Sequence, residues 1–165
     1  MNERFHIIIP NSNGLFEDKL AELFVKCRDY INEEEAEKRG LVMARIFLSD
    51  PINQYSPLLT NTDLYRLLAP KVSVVGQTPL DRSKVSVLIY TSKHASRYVF
   101  NSFRLSTGES ECCDAYQQTR ILFNKYLESI EGSGMTLERN CIRTWIYVRD
   151  IDINYSGVVN ARNDV

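Results

Sequence analysis

LVMARIFLSDP, residues 41–51, is a nearly continuous apolar run of strand length, interrupted by Arg45 and closed by Asp50-Pro51. A run that is apolar on both faces needs cover on both faces, so residues 41–48 are expected as a central strand. Upstream, a short apolar strand at 6–9 leads into a turn cluster of Pro, Asn, Ser and Gly at 10–14. Phe16, Leu20, Leu23, Phe24, Cys27, Tyr30 and Ile31 then recur at three- and four-residue steps, which lines them along one helical face. The acidic tract 33–37 passes into Lys38, Arg39 and Gly40, basic residues and a glycine where a helix C-terminus favours them. As a charge run the tract is expected to be a solvated face.

Downstream, Asn61 or Thr62 can cap a short helix carrying Leu64, Leu67 and Leu68, which Pro70 terminates. Two strands follow at 72–75 and 85–90, and the Pro- and Asp-containing stretch between them reads as the bend of a hairpin. A further strand is expected at 98–105, bent back at Ser106-Thr107-Gly108. Tyr116, Thr119, Phe123, Tyr126, Leu127 and Ile130 predict a second long helix, stopped by Gly132 and Gly134. In residues 141–149, Ile142, Thr144, Ile146 and Val148 alternate with Arg143, Trp145, Tyr147 and Arg149, which predicts a strand with two unlike faces. Tyr155, Val158 and Val159 place a last amphipathic helix over 155–165.

Composition narrows the class. The 165 residues are 44% hydrophobic and 25% charged, enough to bury a core and unlike a disordered chain. Twenty basic and 21 acidic residues leave a net charge of -1, so no global field favours nucleic acid or an anionic membrane. The basic, aromatic-containing stretch 93–104 does not change that expectation. Cys27, Cys112, Cys113 and Cys141 form no CxxC pair, and His6 and His94 do not complete a zinc set at recognisable spacing. The cysteines are therefore expected as reduced, mostly buried thiols, and no metal or cofactor is assigned. No stretch approaches the ~20 apolar residues of a bilayer span, and the cytoplasm is the expected compartment.

The sequence also repeats itself at a period of roughly 100 residues. Leu23-Phe24-Val25-Lys26 returns as Leu122-Phe123-Asn124-Lys125, each time in a helix leading to an apolar stretch closed by an aspartate, Asp50 or Asp150. Two linked units, 1–92 and 93–165, are expected, the second ending where its hairpin should begin. Either the chain belongs to a longer polypeptide or the copies share strands in one composite sheet.

YVFNSFRLSTGE, QQTRILFNKYL, RNCIRTWIYVRDID and VVNARNDV, in that order, carry a family likeness. Gln118-Thr119-Arg120, Arg143-Thr144, Val148-Arg149-Asp150 and Val159-Asn160 are the matching positions over about 70 residues, and residues 14–90 follow the same pattern more weakly. The chain resembles the Rid (YjgF, or endoribonuclease L-PSP-type) superfamily, in a linked-copy arrangement similar to chorismatases. The resemblance implies an α+β fold, a mixed sheet with helices on one face, in about one and a half copies. It also implies an oligomer with sites between subunits, where an Arg grips a substrate carboxylate and a Glu assists water in hydrolysing a 2-imino acid. Older family labels, endoribonuclease and translation inhibitor, would add an RNA-acting reading.

Carried over by position, that chemistry is incomplete. Lys71 stands where the family has its Arg, and Ser86 and Leu88 fall where carboxylates usually appear; a Leu cannot move a proton. Asn160 matches a family pocket position. Arg143, with Trp145, Tyr147 and Arg149 on one strand face, could stack on and pair with a planar anion. The candidate ligand-binding residues are therefore Lys71, Asn160 and Arg143, toward a small carboxylate, and no catalytic residue is assigned. The expected role is a non-catalytic Rid-like region that assembles with another copy or with a further Rid-like unit. The alternative is part of an imine deaminase or chorismatase-like hydrolase whose site is completed downstream or by another subunit.

Overall fold

A computed structural model describes residues 1–60 and 63–165. It is α+β, with a four-stranded mixed sheet, and it divides into two compact units, Met1–Ser102 and Phe103–Val165. The expected caps Asn61 and Thr62 lie outside the described residues.

The first unit runs β1 (Glu3–Ile8), α1 (Phe16–Ala36), β2 (Gly40–Leu48), α2 (Pro51–Thr60), α3 (Asp63–Leu68), β3 (Val72–Gly76) and β4 (Val85–Ser92), then a 3₁₀ turn at Ala95–Arg97. Strand order is β1-β4-β2-β3, antiparallel except for the parallel pair β2/β3. Strand β2 is central, paired on both sides. The expected hairpin is not one. The chain leaves β3 and returns as β4 on the far side of β2, so β3 and β4 never pair. Turn residues between two strands fix a reversal of direction, not adjacency.

Alternation along the strands sends Ile8, Ala44, Ile46, Leu48, Val72, Val85, Val87 and Ile89 to one face. Leu20, Leu23, Cys27 and Ile31 of α1, Leu58 of α2, and Leu64 and Leu68 of α3 close over it as a single core. Helix α2 lies where the sequence shows only a stop. Asp50-Pro51 ends β2 and also starts a helix, since proline at the first helical position loses no intrahelical bond and Asp50 Oδ1 accepts from the Asn53 N–H at 3.3 Å.

The second unit holds α4 (Thr107–Cys112), α5 (Ala115–Ile130), α6 (Leu137–Asn140) and α7 (Ile151–Asn163), and no strand among the described residues. Helices α5 and α7 pack against each other at Gly157, where an added Cβ would lie 2.9 Å from the Tyr116 amide nitrogen. Tyr116 and Arg120 hold the end of α7, donating to the Asp164 carboxylate and carbonyl at 2.9 and 2.7 Å.

Two expectations are thereby corrected. Residues 98–105 form no strand, and Ser106-Thr107-Gly108 does not bend one back: Ser106 caps α4, accepting from the Glu109 N–H at 3.3 Å while Glu109 accepts from the Ser106 N–H at 2.6 Å. Residues 141–148 lie outside helix and strand and are no part of the sheet. Alternation describes a strand's faces, but a strand exists only by pairing, and the helical second unit has no ladder for it to join. The helix-strand order of the first unit is therefore not repeated in the second, which contributes no strand to the sheet among the described residues.

Candidate functional site

The densest polar constellation in the first unit was unexpected. Glu34, in the acidic tract expected to be solvated, is only 2% exposed, and Arg39 3%. The Glu34 carboxylate accepts from Arg39 Nε at 2.6 Å and Nη2 at 3.2 Å, from Thr91 Oγ1 at 2.6 Å and from Arg4 Nη1 at 2.9 Å. Its position follows from how α1 ends. Lys38 takes a left-handed φ of 61° and donates to the Glu35 carbonyl at 2.9 Å, while the Arg39 N–H donates to the Glu34 carbonyl at 2.8 Å. This Schellman turn folds Arg39 back along the helix onto Glu34. The Arg39 hydrogen bonds outweigh burial and hold the Glu34 pKa down at about 2. Burial, then the charge of Glu34, pushes the neighbouring Tyr30 phenol upward, and His6 stacks on that ring at 4.6 Å. A carboxylate fixed in its ionised form by four donors is no proton shuttle at neutral pH; it ties α1 to β1 and β4. The spacing Cys27, Ile31, Glu34 continued the buried face of α1 and was the available signal.

At the opposite end of the strands lies an open cleft of about 700 Å³, lined by Asn11, Lys19, Asp50, Asn53, Asp81 and Lys84 among others. Its loop is pinned from below, where the Glu22 carboxylate accepts from the Asn11 and Ser12 N–H groups at 2.8 and 3.0 Å and pairs with Lys26 at 2.7 Å. Lys26, then those amides, lower the Glu22 pKa to about 2. The cleft carries both signs of charge and selects neither anion nor cation.

The three candidate ligand residues have other partners or open surroundings. Lys71, just before β3, donates through Nζ to the Leu41 carbonyl at 2.6 Å, beside the irregularity between Leu41 and Met43 where the β2/β4 register shifts. Its ammonium serves the backbone at a strand bulge. Leu88 sits on β4 opposite Arg45 and Ile7, and Ser86 is buried opposite Phe47. In the second unit, Arg143 lies over the Trp145 ring at 5.6 Å in an exposed stretch, where Ile142 and Tyr147 are also exposed. Asn160 is an exposed residue of α7 whose carbonyl accepts from the Asp164 N–H.

The first unit also presents an open strand edge. The Lys93 N–H donates to the Asn2 carbonyl at 2.9 Å and Glu3 is opposite Ser92, so the even residues of β1 bond to β4 and Glu3, Phe5 and Ile7 point their N–H and C=O groups away from the sheet. On the face opposite the core, Phe5 is 57% and Ile7 60% exposed, with Phe5 stacked on Tyr90 at 4.3 Å. No family model, curated protein or solved structure matches this chain. No helix among the described residues is long and apolar enough to cross a membrane.

Proposed function

We propose that this chain is a non-catalytic, Rid-like module with a structural or assembly role, and that β1 is its assembly edge. The observation that carries the reading is the outward row of backbone groups at Glu3, Phe5 and Ile7, flanked by the exposed Phe5 and Ile7 side chains. An edge strand that is neither covered nor broken by proline recruits another strand. The partner is a second copy of this chain or a further Rid-like unit. Two-fold pairing centred on Phe5 sets Phe5 against Phe5 of the other copy and Glu3 against Ile7, with every outward donor facing an acceptor.

The engagement of Lys71 with Leu41 supports the non-catalytic half of the reading, because that ammonium already has a partner. Sedimentation velocity on the full chain and on Ile7→Lys tests the assembly half. Concentration-dependent association that the substitution removes is expected; a wild-type chain that sediments as a monomer and gains no partner would overturn it. The hydrolase alternative is tested by generating a 2-imino acid with an amino-acid oxidase and following its loss. No acceleration over amine buffer is expected, whereas a concentration-dependent acceleration favours the enzyme.

A further inference from the structure

Two of the four cysteines are adjacent, and the fold turns both thiols the same way. Cys112 ends α4 and is exposed; Cys113 is extended, half-buried, and followed by Asp114, the N-cap of α5. Their Sγ atoms are 3.3 Å apart. Gln118 Nε2 holds this corner, donating to the Ser110 carbonyl at 3.0 Å and to the Cys113 carbonyl at 2.8 Å.

The separation discriminates between uses of a dithiol. A disulfide has sulfurs about 2.05 Å apart and usually Cα atoms ~4.4 Å or more apart, while neighbours across a trans peptide are held at ~3.8 Å, so a bond between them is strained and easily reduced. Oxidative attack also proceeds through a thiolate. Here the hydrogen bond shared with Cys112, which holds the Cys113 thiol protonated, then burial, raises the Cys113 pKa, with Asp114 and Glu109 adding to it. A single atom bridging both sulfurs at about 2.3 Å each would subtend about 92° at a separation of 3.3 Å. A tetrahedral zinc ion would need roughly 3.8 Å between the sulfurs, and a linear two-coordinate ion about 4.6 Å, on the same bond length. Bonds near a right angle suit square-planar and octahedral ions, which need further ligands that no cluster of three or more His, Cys, Asp or Glu supplies among the described residues, and a trivalent centre that keeps a lone pair, for which two sulfurs are enough.

We infer that Cys112 and Cys113 form a preset dithiol site for trivalent arsenic species. The capture is redox-neutral: As(OH)₃ and two thiols give one As–OH bridged by two As–S bonds, and each displaced hydroxide leaves as water with a thiol proton. Neutral reactants and a neutral product suit a corner whose neighbours Glu109, Glu111 and Asp114 are acidic.

The probe is phenylarsine oxide, which loses its oxygen as one water when two thiols add. Intact mass spectrometry of the reduced full chain should show one adduct, reversed by excess 2,3-dimercaptopropanol, retained in a Cys27→Ala/Cys141→Ser double variant and lost in Cys112→Ser and in Cys113→Ser. Adjacent thiols stay adjacent in the unfolded chain, so the fold contributes only through the two fixed rotors. Native protein should therefore bind about 10-fold more tightly than the same chain in guanidinium. An adduct that survives Cys112→Ser, equal affinity in the denatured chain, or oxidation to a disulfide in preference to the adduct would overturn the inference.

Discussion

Replacing Arg39 by Met probes the buried pair at the end of α1. The variant keeps an unbranched apolar stem in place of the Arg methylenes and removes two charge-assisted hydrogen bonds to Glu34, at 2.6 and 3.2 Å. Each such bond contributes about 1.5–3 kcal/mol, so the sum is roughly 3–6 kcal/mol. Arg4, nearly half exposed, and Thr91 remain on the carboxylate and place the expected cost near the lower end, about 3 kcal/mol. Glu34→Leu combined with Arg39→Met should recover most of that loss, because it removes the stranded charge together with its partner.

The pH dependence has a defined sign. The Glu34 pKa in the folded chain is about 2, below its ordinary 4.5, so the stabilisation is fully present above pH ~5 and fades as pH falls through about 2. Urea titrations at pH 7, 5 and 3 on wild type, Arg39→Met and the double variant measure it. The double variant should show a shallower acid-side slope than wild type, keeping the share that Glu22 contributes. An Arg39→Met cost below about 1 kcal/mol at pH 7, or an unchanged slope in the double variant, would refute the assignment of Glu34 as the structural anion.

Other expectations follow from single contacts. Lys38→Gly should stabilise the chain by about 0.5–1 kcal/mol in thermal unfolding, since a side chain at φ 61° is relieved without loss of the Schellman bonds. Gly157→Ala should cost about 1–3 kcal/mol and accelerate amide exchange in α5 and α7, because its Cβ meets the Tyr116 backbone at 2.9 Å. Lys71→Met should lower stability by about 1–2 kcal/mol through the Leu41 carbonyl and leave imine loss at the buffer rate. The Asn11 and Ser12 amide resonances should titrate with Glu22 near pH 2, the loop being held above its ordinary range and released as pH falls through that value.

The α+β class, the central placement of β2 and the apolar face of α1 were legible because periodicity and burial coincide there: Leu20, Leu23, Cys27 and Ile31 are the residues the core covers. Glu34 was hidden because a charge was read by its type, not by its place on that same face. The segment 141–148 misled for the opposite reason. Its alternation is real, but pairing is a property of the neighbours, and its unit supplies only helices. Asp50-Pro51 was read as a stop and is also a start, a double meaning that only the following turn resolves. Of the candidate ligand residues, Lys71 could not be placed from sequence because its partner is the carbonyl of Leu41, 30 positions away.

The proposed assembly edge is tested most directly by amide hydrogen exchange at Phe5 and Ile7 as a function of protein concentration. Their N–H groups point away from β4, so in an isolated chain they face solvent, whereas those of Arg4 and His6 are bonded within the sheet. Protection at Phe5 and Ile7 should rise with concentration while Arg4 and His6 stay protected throughout, and Ile7→Lys should abolish the rise. Exchange at Phe5 that stays fast and independent of concentration, in a chain that remains monomeric, would contradict it.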